Sequence, residues 1–181
     1  MNGSVLNLFS DRGTLTAKDV TPWQTFSGKG MNFHLQSFDW AGCACVSHLT
    51  MRAFLGLMKM ETVICTPYAK DLPLFSYDGM KLPGKQIVFL ELYDTLRLSP
   101  STCKVGPASR LSSLAEEMTT AYTDLFATAR TIDPVAKTAR NSAYVEGLIS
   151  NGGPAINTIR QMLGSEAAET LFRRFLFGTE R

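Results

Sequence analysis

The sequence predicts an α+β fold, in which an antiparallel sheet comes first in the chain and a set of helices follows it. Between residues 32 and 93, short apolar runs with a period of two are separated by turns that contain glycine or proline. The segment 99–107 is rich in turn formers, and beyond it apolar residues recur at spacings of three and four as far as residue 177. Strands followed by helices are typical of α+β domains. Because the connections between successive strands are short, we expect a meander with helices on one or both of its faces.

Length and composition fit one globular domain. The chain has 181 residues, of which 45% are hydrophobic, so it can bury a core without disulfides or a structural metal. We therefore expect a single domain over residues 1–181, with strands mainly in 4–93 and helices mainly in 108–177. Eighteen Lys plus Arg against sixteen Asp plus Glu leave a formal charge of +2, which gives no reason to expect a nucleic-acid partner.

The sequence gives no sign of a membrane-spanning or secretory segment. No apolar run approaches the roughly 18 residues needed to span a bilayer. Residues 1–19 lack a basic stretch followed by the apolar core of a signal peptide. We expect a cytoplasmic protein with no membrane partner. Cys43 and Cys45 form a C-x-C pair rather than a C-x-x-C pair, which favours reduced thiols over a metal site.

Each element has its own local signal. The predicted strands are 4–9, 32–38, 43–54, 58–66, 72–75 and 86–93, with a turn at 55–57, a hairpin-like connection at 79–84 and no convincing period in 14–31. Val63 and Ile64 supply the β-branched content of a central strand. Four helices are predicted: one capped by Ser109 or Ser112 and running past Phe126, one from Asp133-Pro134 to Asn151, one from Pro154 to Gly164, and one from Ser165 to Phe177.

The motifs of several common enzyme classes are absent. The chain has only two histidines, His34 and His48, and no G-x-S-x-G nucleophile elbow. It contains neither a P-loop nor a G-x-G-x-x-G segment, so no motif supports nucleotide binding. Without an H-x-x-x-H spacing, a catalytic zinc site is not expected. The ionisable groups that remain lie on or near consecutive predicted strands: His48, Glu61, Asp78, Glu91 and Asp94.

If these strands are neighbours, several of the ionisable groups can converge on one face of the sheet. Apolar surroundings raise the pKa of a carboxyl group, which would let it hold a proton and act as a general acid. A structural role is the alternative for each group. Asp94 fits a turn acceptor, Glu61 a solvated strand face, and His48 a hydrogen-bonded, half-buried histidine. Asp78, which precedes a glycine, fits an Asp-Gly turn.

Two parts of the chain, residues 66–78 and residues 144–177, resemble the ferredoxin-dependent bilin reductases. Residues 66–78 (TPYAKDLPLFSYD) are similar to that family's D-L-P-x-F-G-x-D segment, whose last aspartate protonates a tetrapyrrole. Residues 144–151 (YVEGLISN) and 163–177 (LGSEAAETLFRRFLF) resemble its Y-C-x-x-Q-x-x-N segment and its C-terminal F-G-x-x-W-A-x-x-Y…V-L-F pattern. Together the resemblance covers residues 44–181, and red chlorophyll catabolite reductase shares the same broad fold. It implies a three-layer α/β/α sandwich with the tetrapyrrole between the antiparallel sheet and the C-terminal helices.

The resemblance assigns roles to individual residues. Asp78 matches the central proton donor, and Asn151 matches a polar residue on the helical side of the pocket. His48 falls in the strand segment where the family has H-x-E. We therefore expect a catalytic set of Asp78, Glu61 and His48. The expected substrate-binding residues are Asn151, Thr50, Lys85 and Arg97.

The chain also departs from the family pattern. Thr50 stands where several relatives carry a glutamate, and Glu61 stands where some carry a second pocket histidine. Gly152 replaces an aspartate that some relatives use in place of the central one or together with it. Ser76 stands at the glycine of the family's D-L-P-x-F-G-x-D segment, two residues before Asp78. These departures favour a conserved fold over a conserved reaction.

The resemblance implies reduction of a linear tetrapyrrole such as biliverdin or a chlorophyll catabolite. Electrons would come from external ferredoxin and protons from the protein, with no tightly bound cofactor. The expected location is then the cytoplasm, or the plastid stroma in a plant or alga. The basic residues Lys70, Lys81, Lys85 and Arg97 are candidates for contact with propionates or with an acidic ferredoxin. Two alternatives remain: a tetrapyrrole carrier without catalysis, and an interaction domain that binds no pigment.

Overall fold

A computed structural model describes residues 5–94, 99–103 and 108–180 of the chain. The strands are β1 (Leu15–Ala17), β2 (Thr25–Gly28), β3 (Met31–Trp40), β4 (Ala44–Ala53), β5 (Met58–Pro67), β6 (Leu74–Leu82), β7 (Lys85–Asp94) and β8 (Ser99–Cys103). The helices are α1 (Val5–Ser10), α2 (Ala108–Thr128), α3 (Pro134–Asn151), α4 (Pro154–Leu163) and α5 (Ser165–Thr170), and α5 continues into a π-helical segment, Leu171–Leu176. None of the helices in these ranges is long and apolar enough to cross a membrane.

The eight strands form one antiparallel sheet. Strands β3 to β8 lie side by side in chain order, while β1 and β2 both pair with the outer edge of β3. The predicted antiparallel meander is therefore confirmed. In such a sheet, residues directly opposite each other on neighbouring strands point to the same face, so the register decides which side chains can meet.

Helices cover both faces of the sheet, which gives the expected α/β/α sandwich. We call the face that packs against α3, α4 and α5 the C-terminal face; its sheet residues include Leu35, Leu49 and Ile64. The opposite face, here the N-terminal face, packs against α1 and α2 and includes Val46 and Val63. Adjacent residues such as Val63 and Ile64 thus belong to different cores.

Local capping signals set the helix boundaries of the second half of the chain. The carboxylate of Asp133 accepts a hydrogen bond from the backbone N–H of Val135 at 3.0 Å, and Pro134 is the first helical residue of α3. Gly164 separates α4 from α5 with a φ of 84°. The predicted helix boundaries at Asp133, Pro154 and Gly164 are confirmed.

Short elements at the edges of the sheet differ from the sequence prediction. Residues 4–9 were expected to form a strand, yet α1 is a helix whose residues Val5 and Phe9, four apart, are both buried. A short apolar run does not distinguish a strand from a helical turn. Strands β1 and β2 lie in the segment without a clear period, and β8 lies in the predicted linker. Their conformation depends on pairing with β3 and β7 rather than on their own sequence.

Asp78-Gly79 is not a turn. It lies inside β6, which continues to Leu82 before the chain reverses at Pro83-Gly84. A Cβ at position 79 would overlap the hydroxyl of Tyr77, so glycine here makes room for that side chain. Burial raises the pKa of Tyr77 to about 12, and the nearby carboxylates of Glu61 and Asp78 add to the shift. Because Asp78 lies inside β6 and not in a turn, its carboxylate is held by an interior strand of the sheet.

Candidate functional site

The register divides the predicted catalytic set between the two faces of the sheet. Asp78 is directly opposite Thr62 on β5, which is in turn opposite Leu49 on β4, so Asp78 lies on the C-terminal face. His48 and Glu61 lie on the N-terminal face, together with Val63. The expectation that His48 and Glu61 act beside Asp78 is corrected accordingly.

The physical reason for this correction is the two-residue period of a strand. A shift of one residue in a sequence correspondence moves a side chain to the other face. The resemblance placed Thr50 and Glu61 at pocket positions, whereas the neighbours that share the face of Asp78 are Leu49 and Thr62. Thr50, expected to bind substrate, is opposite Glu61 and lies away from Asp78.

The surroundings of Asp78 favour the protonated form of its carboxyl group more than water does. Its side chain is half-buried, and the hydroxyl of Thr62 donates a hydrogen bond to its Oδ1 atom. Burial raises the pKa of Asp78; the hydrogen bond from Thr62 opposes this shift, and the negative charge of Glu91 reinforces it. Glu91 lies diagonally across the β6–β7 pair on the same face.

Two tyrosines connect Glu91 to α3. The hydroxyl of Tyr93 donates a hydrogen bond to Oε2 of Glu91, and the rings of Tyr93 and Tyr144 lie 5.0 Å apart. Burial raises the pKa of Tyr144 to about 12, with an added contribution from Glu91, and raises that of Tyr93 further. Both phenols therefore stay protonated at neutral pH and act as hydrogen-bonding groups.

An apolar strip of the sheet beside Asp78 is only partly covered by helices. Phe89, directly opposite Asp78 on β7, is 51% exposed. Met80 and Ile87, one step further along the same face, form a second opposed pair and are half-buried. We call Asp78, Met80, Ile87 and Phe89 the Asp78 shelf. It provides a flat apolar surface with one carboxyl group that can give up a proton.

The remaining predicted binding residues occupy different places. Asn151 is the exposed last residue of α3 and lies seven residues after Tyr144, so both are on one stripe of that helix. Lys85 is exposed and, by strand alternation, shares its face with Ile87 and Phe89. Arg97 lies outside the described residues.

The other two candidate basic residues lie away from the shelf. Lys70 donates a hydrogen bond from Nζ to the carbonyl oxygen of Ala129 at 3.0 Å. Lys81 is opposite Lys59 and lies on the N-terminal face.

His48 and Glu61 form their own cluster on the N-terminal face. Nε2 of His48 lies 3.0 Å from Oε1 of Glu61, and Nδ1 lies 3.2 Å from Oε1 of Gln36. Both ring nitrogens are engaged, so these two contacts fix the orientation of the ring. A cavity of about 330 Å³ borders this cluster and is lined in part by Thr50 and Lys81.

The backbone explains why Gly152 does not carry the aspartate found in some relatives. Gly152 has φ 69° and ψ −158°, a region occupied almost only by glycine, and a Cβ would lie 3.1 Å from Oδ1 of Asn157. We expect Gly152→Asp to lower the free energy of unfolding by about 1–3 kcal/mol. Urea denaturation measures this, with Gly147→Asp on an open part of the same helix as the control. A Gly152→Asp variant as stable as the Gly147→Asp variant would contradict the prediction.

Sequence reasoning found Asp78, Glu91 and Asn151 but not the roles of Thr62 and Tyr93. Thr62 follows from the register alone, since it pairs with Asp78. The alternation of β7 puts Tyr93 on the face of Glu91. The relation of Thr62 to Asp78 needs the strand pairing, whereas that of Tyr93 to Glu91 follows from the alternation of a single strand.

Comparison with known proteins gives a structural match but no sequence match. No protein-family model matches the chain, and neither does any curated protein sequence. The structure is similar to the crystal structure of phytochromobilin synthase from tomato in complex with biliverdin, with a TM-score of 0.68 and 12% sequence identity. The match covers 97% of this chain and 80% of that chain. At this identity the similarity shows a shared fold, so the chain has the fold of a protein whose crystal structure holds biliverdin.

Proposed function

We propose that this protein binds a linear tetrapyrrole on the Asp78 shelf and reduces one of its double bonds, with Asp78 as proton donor and ferredoxin as the source of electrons. The observation that carries the proposal is the raised pKa of Asp78, a strand-held carboxyl group beside a half-open apolar surface. The fold shared with a biliverdin complex supports the choice of ligand. The location of such an enzyme would be the cytoplasm, or the plastid stroma in a plant or alga.

In the proposed reaction, the protein has two tasks: it positions the pigment and it supplies protons. Reduction of one double bond consumes two electrons and two protons, and ferredoxin delivers its electrons singly. Asp78 supplies the first proton, and the negative charge of Glu91 favours reprotonation of its anion by solvent water. The reprotonated Asp78 then supplies the second proton. Tyr93 holds Glu91 in place through the hydrogen bond from its hydroxyl, and the ring of Tyr144 packs against that of Tyr93.

The shelf suits the shape and charge of such a pigment. Phe89 and Ile87 offer apolar area to flat pyrrole rings. Lys85, on the same face, is the proposed partner of a propionate group. Asn151, on the stripe of α3 that carries Tyr144, is proposed to bind a polar edge of the pigment from the helical side.

A tetrapyrrole carrier without catalysis is the second candidate. The observation that favours it is the composition of the C-terminal face around Asp78. His48 and Glu61 lie on the other face, and position 152 holds a glycine whose backbone disfavours a second aspartate. In this case the pigment binds next to Asp78 but is not reduced.

Absorption spectra separate these functions. Biliverdin is titrated into the protein, and reduced ferredoxin is then added without air. A shifted visible band that decays after ferredoxin is added supports the reductase, whereas a shifted band that persists identifies the carrier. If biliverdin changes neither the absorption spectrum nor the melting temperature of the protein, both proposals are overturned. The remaining alternative is then an interaction domain that binds no pigment.

Glu61 provides a direct test of which face binds the pigment. We expect Glu61→Gln to change the rate of biliverdin reduction by less than about twofold, because a group on the opposite face does not touch the reacting atoms. Single-turnover absorption with reduced ferredoxin measures this rate. If Glu61→Gln abolishes turnover while the protein remains folded, the pigment site belongs on the N-terminal face.

A further inference from the structure

The turn between β4 and β5 presents three large apolar side chains to solvent at one end of the sheet. Phe54 is 67% exposed, Leu57 is 63% exposed, and Leu55 is fully exposed. None of the three belongs to either hydrophobic core. Grouped apolar side chains on a surface mark places where a protein contacts a partner or a membrane. We call Phe54, Leu55 and Leu57 the apolar tip.

The backbone of this turn does not account for its residues. Phe54 and Leu55 have φ values of 51° and 56°, and Gly56 follows with 89°. The backbone N–H of Leu57 donates a hydrogen bond to the carbonyl oxygen of Phe54, so Leu55 and Gly56 are the central residues of the turn. Positions with positive φ prefer Asn, Asp or Gly, because a bulky side chain is disfavoured in this region. Asn at position 54 and Gly at position 55 would adopt this backbone with less strain. The large apolar side chains therefore oppose the local backbone preference, which points to a role outside the fold.

A row of positive charges lies just behind the apolar tip. Arg52, Lys59 and Lys81 are directly opposite one another on β4, β5 and β6, and all three are exposed. Like charges in opposed positions of a sheet destabilise it. Within 5–94, 99–103 and 108–180, no ion pair is formed by any of the three. This row is therefore available to bind an anionic surface, and the same three residues also line the cavity on the N-terminal face.

The spacing between tip and charges matches a lipid interface. Arg52 lies two residues before Phe54, and Lys59 lies two residues after Leu57, so each cation is roughly 7 Å along its strand from the apolar tip. Apolar groups of interfacial proteins enter the boundary between headgroups and acyl chains by about 5–10 Å, which leaves such cations at headgroup level. A convex tip of three residues is too small for a typical protein interface, which needs roughly 800 Å² on each partner. Shape and charge together favour a bilayer.

We propose that the β4–β5 turn docks this protein onto an anionic lipid bilayer. Phe54, Leu55 and Leu57 enter the interface, and the row of Arg52, Lys59 and Lys81 binds lipid headgroups. The sequence led us to expect no membrane partner because no segment can span a bilayer, but peripheral docking needs no spanning segment. This proposal is independent of the tetrapyrrole.

Vesicle co-sedimentation of the full chain tests the proposal. At about 0.15 M salt we expect wild type to sediment with phosphatidylcholine vesicles that contain about 30 mol% phosphatidylserine, and about tenfold less with phosphatidylcholine alone. Phe54→Asn combined with Leu55→Gly should lower the binding about tenfold or more. Because Asn and Gly tolerate the positive φ of positions 54 and 55 better than Phe and Leu do, this double variant should melt no lower than wild type.

Three further variants separate the contribution of charge from that of the apolar tip. Lys59→Glu and Lys81→Glu should each weaken binding to the anionic vesicles at least about fivefold, the equivalent of ~1 kcal/mol per basic residue near such a surface. Val135→Ser removes an apolar side chain that is equally exposed but lies on α3, and should leave vesicle binding unchanged.

Three results would overturn the proposal. The first is wild type that stays in solution with the anionic vesicles. The second is vesicle binding by the Phe54→Asn/Leu55→Gly variant that equals wild type. The third is retention on an immobilised acidic ferredoxin that depends on Phe54 and Leu55 without any vesicle binding, which would assign the tip to a protein partner.

Discussion

Asp78→Asn should still bind biliverdin but reduce it at least about a hundredfold more slowly, since general acid catalysis contributes about 10²–10⁴ in rate. Asparagine keeps the size of the side chain and the acceptor oxygen for the hydroxyl of Thr62, but it has no acidic proton to give. The measurement is single-turnover absorption with reduced ferredoxin, together with a biliverdin titration. Glu61→Gln is the matched control, because it makes the same change of carboxylate to amide on the neighbouring strand and the opposite face. A rate for Asp78→Asn near that of wild type would remove Asp78 from the mechanism.

The same substitution should also change stability in a way that depends on pH. The folded-state pKa of Asp78 is raised by burial, so the stability that its protonated form provides is present at low pH and is lost as pH rises through the folded-state pKa. Asparagine has no such loss. We therefore expect Asp78→Asn to melt higher than wild type at neutral pH, and the difference to shrink on acidification. A difference that grows on acidification would show that the pKa of Asp78 is lowered in the folded protein.

Leu171→Ala should cost about 2–5 kcal/mol of unfolding free energy, the range for buried leucines replaced by alanine. Leu171 is fully buried in the core between the sheet and the C-terminal helices, at the start of the π-helical segment. Removal of its side chain leaves a cavity that rigid neighbours fill only in part. Urea denaturation, with the midpoint and the slope fitted separately, measures the loss.

The control for this prediction is the same substitution at an exposed leucine. Leu125 on α2 is 57% exposed, so Leu125→Ala should stay within about 0.5 kcal/mol of wild type. If the two variants lost equal amounts of unfolding free energy, the side chain of Leu171 would contribute no more to stability than that of an exposed leucine.

The sequence predicts best the elements whose signals lie within the element itself. Asp133 and Pro134 start α3 through a side-chain cap and a fixed φ, and both contacts are local in the chain. Strand β8 was missed because its conformation depends on β7, a partner that its own residues do not specify. The α1 helix was missed because its short apolar run fits either period.

The residues of the candidate site also differ in whether a local segment or the strand pairing identifies them. A family resemblance was enough to identify Asp78, because a short segment carries that match. Its neighbours Thr62 and Glu91 come from other strands and depend on register, which the resemblance does not supply. A one-residue shift on β5 exchanges Thr62 for Glu61, and with it a residue that touches Asp78 for one on the other side of the sheet.

In the proposed reaction, the partial cover of the shelf at Phe89 would also affect electron transfer. A pigment bound there would have one long edge in contact with solvent. A donor protein could then bring its redox centre close to the conjugated system directly, without a conducting path through the polypeptide. The same opening would admit water and oxygen to any radical formed halfway through the reduction. The lifetime of that radical would therefore depend on how completely the docked donor closes the open side.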